Sequence, residues 1–175
     1  IINEENNTIY IIDTNTTTSD SDSDKKLEII CTHSLLEDDG HITDFVVHCD
    51  TLFVGTSTGL LKLFQLDQHF KKLEWLKSIK LHSHDITSLW INEINDVLYS
   101  TGVDGCINVY TLDQLIHINC FQHDFITHDI VNVFITFPVK NQQKNIQLAA
   151  ILYDEHKIQL HDLLTHDVVY LYQCI

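Results

Sequence analysis

The stretch His82–Asp113, HSHDITSLWINEINDVLYSTGVDGCINVYTLD, alternates apolar and polar residues in three successive runs separated by turn residues. The first run, Ile86-Thr87-Ser88-Leu89-Trp90-Ile91, is followed by Asp96 and then by Val97-Leu98-Tyr99-Ser100-Thr101. Period two with β-branched and aromatic side chains predicts strands. Gly102-Val103-Asp104-Gly105 then tolerates the positive φ of a tight turn, and Cys106-Ile107-Asn108-Val109-Tyr110 alternates again. A fourth run, Leu115–Phe121, follows Asp113-Gln114, so the stretch predicts four antiparallel strands in about 40 residues.

Less regular copies lie on either side. Upstream are Ile42–Val47, Thr51–Thr56, Leu60–Leu66 and Leu73–Leu81, with a turn at Ser57-Thr58-Gly59. Downstream are Ile130–Phe137, Ile146–Leu152, Lys157–Leu163 and Val168–Gln173. Between the first two of these, the lone Pro138 and the polar NQQKN predict a longer loop, because proline breaks a strand ladder. At the start of the chain Asn6-Asn7 stands for Asp104-Gly105, and Ile9, Ile11 and Asp13 stand for Ile107, Val109 and Thr111. Leu27–Cys31 then closes a partial unit. The intervening residues 14–26, TNTTTSDSDSDKK, have nothing apolar to bury and predict a mobile surface loop.

The first-strand anchors Ile42, Ile86 and Ile130 recur every 44 residues, each followed at fixed offsets by Phe45/Val47, Leu89/Ile91 and Val133/Ile135. The turns before the third strand, at Asn7, Gly59, Gly105 and His156, are spaced 52, 46 and 51 residues apart, the long intervals being those that hold the two insertions. Each unit is apolar on both faces and cannot bury them alone. Stacked four-stranded blades solve this, and the period is that of a propeller. The expected fold is therefore all-β, with a partial blade over residues 1–36 and full blades over 37–81, 82–122 and 123–175, about three and a half in all.

Composition narrows the function classes. The 175 residues are 44% hydrophobic, enough for a core, and the net charge is −15. Residues 14–26 hold three Asp and two Lys, so −14 belongs to the rest of the chain. All ten basic residues are lysines, and without arginine the chain lacks the side chain best suited to phosphate and guanine contacts. Nucleic acid is disfavoured as a partner; the acidic surface fits protein partners with basic surfaces, or simple solubility. Five cysteines (31, 49, 106, 120, 174) form no CxxC pair, and neither a secretory signal nor a long apolar run is present. The expectation is an intracellular protein, cytoplasmic or nuclear, with no membrane span and reduced thiols. Methionine is absent even at position 1, which predicts a segment of a longer polypeptide.

The run Ser100-Thr101-Gly102-Val103-Asp104-Gly105-Cys106-Ile107-Asn108-Val109-Tyr110 is similar to the Ser-Gly-Ser-x-Asp-Gly-Thr-Ile-x-Val-Trp signature, and the chain resembles the WD-repeat β-propellers. Tyr110-Thr111, Phe64-Gln65, His161-Asp162 and Ile12-Asp13 occupy the Trp-Asp position, with the Trp itself replaced in every copy. The resemblance implies a hydrogen-bonded network joining His82, Ser100 or Thr101, Asp104 and Tyr110. Gly40-His41 lies too close to Ile42, and Thr58 replaces the Asp, so incomplete networks are implied in the flanking blades. The resemblance also implies that the remaining blades come from the same or another chain.

His82-x-His84 and the His-Asp pairs beginning at 84, 123, 128, 161 and 166 offer half of a metal site, but their place at blade junctions fits turns and networks, and no metal is expected. No nucleophile elbow or phosphate-cradling glycine loop occurs, so neither an enzyme nor a cofactor site is expected. Candidate partner-binding residues are Asp38, Asp39, Trp75, His84, Asp85, His128 and Asp129; Trp75 is weighed as an interface anchor against strand packing, and Trp90 as blade-to-blade packing. Ser19, Ser21 and Ser23, set among aspartates, are candidate phosphorylation sites. The functional expectation is a non-catalytic interaction scaffold within a larger complex. The alternative is an accessory propeller of an enzyme complex, either a ubiquitin-ligase substrate receptor or the non-catalytic subunit of an RNA-modifying enzyme.

Overall fold

The computed structural model describes residues 2–3, 7–13, 28–67, 72–93, 95–122, 130–135, 139–141, 144–146, 148–153, 157–162 and 168–173. These form β-strands, turns and one 3-10 turn, Glu37–Asp39, with no α-helix among them. The first sheet is three-stranded: β1 (Ile2–Asn3), β2 (Thr8–Asp13) and β3 (Glu28–Ser34). The second comprises β4 (Ile42–His48), β5 (Thr51–Thr56), β6 (Leu60–Leu66) and β7 (Leu73–Lys80). The third comprises β8 (Ile86–Asn92), β9 (Val97–Gly102), β10 (Cys106–Thr111) and β11 (His117–Gln122). β12 (Ile130–Ile135) pairs with β15 (Leu148–Tyr153), then β16 (Lys157–Asp162) and β17 (Val168–Gln173). All these pairings are antiparallel meanders. β8 lies against β4 on one side and β12 on the other, so of the four sheets, blades 1 to 4, the last three stack through their first strands, and blade 1 joins blade 2 through a shared core.

The loop expected over 138–145 is in part a hairpin, because β13 (Val139–Asn141) pairs with β14 (Lys144–Ile146). Pairing Val139 with Ile146 gives the polar insert an apolar closing rung.

Period two divides each blade between two cores. Leu52, Val54, Phe64 and Leu66 of blade 2 join Ile9 and Leu35 on the blade 1 side. Phe53, Leu61 and Leu63 join Ile86, Leu89 and Leu98 on the blade 3 side. Middle strands are consequently covered on both faces, and β5 and β9 are each buried at five consecutive positions. Phe64, Leu61, Ile86 and Leu98 are 0% exposed, and each contributes roughly 2 kcal/mol of transfer free energy. Stacking of blades is therefore the main source of stability. Gly55 fits this geometry, since a Cβ there would lie 2.8 Å from Ile86 Cγ2.

Two register breaks repeat from blade to blade. A bulge follows the first-strand anchor at Ile42/Asp44, Ile86/Ser88 and Ile130/Asn132. A second falls between the third and fourth strands at Ile11/Ile12, Leu63/Phe64, Val109/Tyr110 and Leu160/His161. Ile12, Phe64, Tyr110 and His161 are the four residues aligned with the repeat's Trp, so one local distortion marks that position in every blade. A bulge bends a strand and raises its twist, as tightly stacked blades require.

Candidate functional site

The polar centre of blade 3 begins at His82, which follows β7 and is 2% exposed. Its Nδ1 lies 2.8 Å from Asp104 Oδ1 and its Nε2 lies 2.9 Å from Ser100 Oγ. With the Nδ1–H donating to the carboxylate, Nε2 is left to accept from the Ser100 hydroxyl. The second Asp104 oxygen accepts the Ser83 amide at 2.8 Å, and Oδ1 also accepts the Cys106 amide at 3.2 Å. Burial raises the Asp104 pKa, but the hydrogen bonds from His82 and the Ser83 amide outweigh it and hold the carboxyl below its ordinary value. Gly102 leaves room for the ring: a Cβ there would lie 2.5 Å from His82 Nδ1.

Asn108, which the sequence did not single out, completes the cluster. Its amide donates to the Leu81 carbonyl at 3.1 Å and lies 3.5 Å from both ring nitrogens of His82. Thr101, by contrast, faces away and pairs with the Thr87 hydroxyl at 2.8 Å. Tyr110 also lies outside the hydrogen-bonded set: its ring meets His117 edge-on at 5.1 Å, and burial, with Cys120 and Asp104 nearby, pushes its phenol up to about 12. Ser100 resembles an activated nucleophile in its partners but is 0% exposed. The arrangement clamps the connection between blades 2 and 3 and offers no route for a substrate to the hydroxyl.

Blade 2 replaces this chemistry. Thr58 Oγ1 donates to the Asp39 carbonyl at 2.7 Å and meets Thr56 Oγ1 at 3.0 Å. Lys62, the counterpart of Asn108 on the third strand, pairs with Asp39, with side chains 8% and 16% exposed. Asn7, with φ 53°, bridges from blade 1, donating to the Gly40 carbonyl at 2.7 Å and accepting the Ile42 amide at 2.9 Å. A double-mutant cycle across Lys62 and Asp39 is expected to return a coupling of about 1–2 kcal/mol, because each charge loses its partner in a largely dry site. The same cycle across the exposed Lys72–Glu74 pair is expected to return no measurable coupling.

Asp39 and Trp75 meet at an open groove of about 470 Å³ between the outer strands of blades 1 and 2. His33, Leu35, Leu36, Lys62, Phe64 and Ser78 also line it. Trp75 is 58% exposed, its indole N–H donating to Ser78 Oγ at 3.3 Å. Asp38 sits beside Asp39 on the 3-10 turn. His84 and Asp85 are exposed on the connection between blades 2 and 3 and do not line the groove. Trp90 meets Tyr99 across strands within its own blade at 5.5 Å. A second cavity, of about 650 Å³, opens between blades 2 and 3 near Cys49 and Asp96. His128, Asp129, Ser19, Ser21 and Ser23 lie outside the described residues. No group of three metal-ligating side chains occurs among the described residues.

Blades of four antiparallel strands stacked by their first strands define a segment of a β-propeller, and its architecture resembles that of a WD-repeat propeller. The chain is similar to the crystal structure of Sqt1 from Saccharomyces cerevisiae, a WD-repeat protein, with a TM-score of 0.68 and 12% identity over 97% of this chain. It spans 45% of that chain's length, and at this identity the likeness shows the fold alone. No family model and no curated relative matches the chain. No helix among the described residues is long and apolar enough to cross a membrane.

Proposed function

We propose that this propeller segment is a non-catalytic protein-interaction scaffold of a larger intracellular assembly. The observation that carries the reading is where its polar chemistry goes. Ser100 and His82 are buried inside blade 3 with Asp104 closing the chain, while two of the exposed large side chains, Trp75 and Leu36, line a groove together with the buried Phe64 and Leu35. Buried and fully partnered polar groups specify a rigid framework; exposed aromatic and aliphatic side chains in a groove provide contact area. The similarity to a WD-repeat protein supports the same reading.

Native mass spectrometry of the protein, tagged and gently purified from its own cells, tests it. The expected result is a complex of fixed stoichiometry with other protein chains. A chain that stays unbound throughout a salt series from low ionic strength upward would sink the scaffold.

A further inference from the structure

We propose that the groove between blades 1 and 2 docks a basic segment of a partner protein, one that carries an apolar anchor flanked by lysine or arginine. The inference rests on the scaffold reading and deepens it. Leu36 is 73% and Trp75 58% exposed, and both line the groove together with the buried Phe64 and Leu35. The Trp75 indole N–H is already taken up by Ser78, so what the side chain offers is the face of its ring. Such a face takes an aliphatic anchor or, still better, a cation lying over it.

Charge selects the occupant. Among the described residues, the cations on this side of blade 2 are engaged internally, Lys62 with Asp39 and Lys80 with the Thr58 carbonyl, while Glu74, paired with Lys72, stands opposite Gln65 on the other face. Lys77 stands opposite Leu63, on the blade's other face. Glu37 and Asp38, in sequence between the lining residues Leu36 and Asp39, are exposed, and the 3-10 turn that carries them has three acids and no base. Burial and the neighbouring Lys62 lower the His33 pKa, so its ring adds no positive charge at neutral pH. The groove therefore presents apolar surface beside carboxylates that no cation among the described residues pairs with. A second copy of this chain, itself at −15, would meet like charge. A lysine- or arginine-bearing segment meets its complement, with its cation over Trp75 or against Glu37 and Asp38.

Selection of a random peptide library on the full chain tests the assignment. The expected winners are net basic with a leucine or aromatic residue. Their affinity should fall about tenfold or more on Trp75→Ala, and by a similar factor on the double change Glu37→Lys and Asp38→Lys, while Trp90→Phe leaves it unchanged. Trp75 and both acids are exposed, and an unaltered thermal midpoint checks that the variants fold. Acidic winners, winners indifferent to Trp75→Ala, or no winners at all overturn the groove assignment, as does self-association abolished by Trp75→Ala. Failure of the two readings separates cleanly. A native complex that keeps its stoichiometry in the Trp75→Ala protein removes the groove and leaves the scaffold, whereas loss of any native complex in the unmodified protein removes the scaffold.

Discussion

Gly59→Ala is expected to lower the unfolding free energy by about 4 kcal/mol or more, and Gly105→Ala by only about 1 kcal/mol. The two glycines occupy equivalent turns before the third strands of blades 2 and 3, with φ of 74° and 77°. The left-handed backbone therefore penalises a side chain about equally at both. What differs is the neighbourhood. A Cβ on Gly105 would meet nothing within 4 Å, whereas one on Gly59 would lie 2.2 Å from the His82 carbonyl oxygen and 2.5 Å from that of His84. Those atoms are backbone and cannot rotate away. Nor can the turn slide, because the Gly59 carbonyl accepts the Leu81 and His82 amides at 3.0 and 3.2 Å. Opening the contact breaks these two bonds, at about 1 kcal/mol each, and shifts the buried His82 with them. Denaturant unfolding of both variants with a shared m-value measures the difference. Equal losses would mean that the blade 2 turn and the blade 2–3 connection are not in contact.

The same contact marks the boundary of what could be read in the chain. Strands were legible where β-branched and aromatic residues alternate, and the turns were legible at Asn7, Gly59 and Gly105, because only glycine and asparagine adopt positive φ at little cost. The bulges were not. Thr87 at the first-strand bulge has no chemistry to distinguish it from a paired strand residue, and alternation simply resumes after it. Asn108 and Lys62 were missed for a related reason. A polar residue between apolar neighbours reads as the solvent side of a sheet, but in stacked blades both faces are covered, so the polar residue lands inside and needs a partner. The polar 139–146 segment misled in the opposite sense, since cross-strand pairing decides whether such a sequence forms a hairpin. Of the candidate partner-binding residues, Asp39 and Trp75 are far apart in sequence, and the contacts of Asp39 with Thr58 and Lys62, on strands folded next to the one that carries Trp75, bring them to one groove.

His82→Ala is expected to cost about 4 kcal/mol, with the loss concentrated in blade 3 and its junction with blade 2. Removing the ring leaves the Ser100 hydroxyl, which is 0% exposed, without its acceptor and strips Asp104 of its nearest side-chain donor, leaving only the longer bond from the Ser83 hydroxyl. It also empties a volume that Gly102 keeps clear. Ser100→Ala should cost less, about 1–2 kcal/mol, because it deletes one bond and leaves the His82–Asp104 pair in place. Asp104→Asn separates charge from shape and makes a prediction in pH. The Asp104 pKa is lower in the folded chain than in the unfolded one, where it is about 3.9. The carboxylate's contribution is therefore complete above about pH 4 and is lost as pH falls through the lower folded value. Asp104→Asn should be less stable than the unmodified protein at neutral pH, and the gap should narrow below about pH 4, where the unmodified protein gives up the charge as well. The difference between the two stability curves cancels the other carboxylates, which titrate alike in both proteins. A difference that stays constant down to strong acid would mean that the Asp104 charge does not hold the ring, and that blade 3 rests on apolar burial alone.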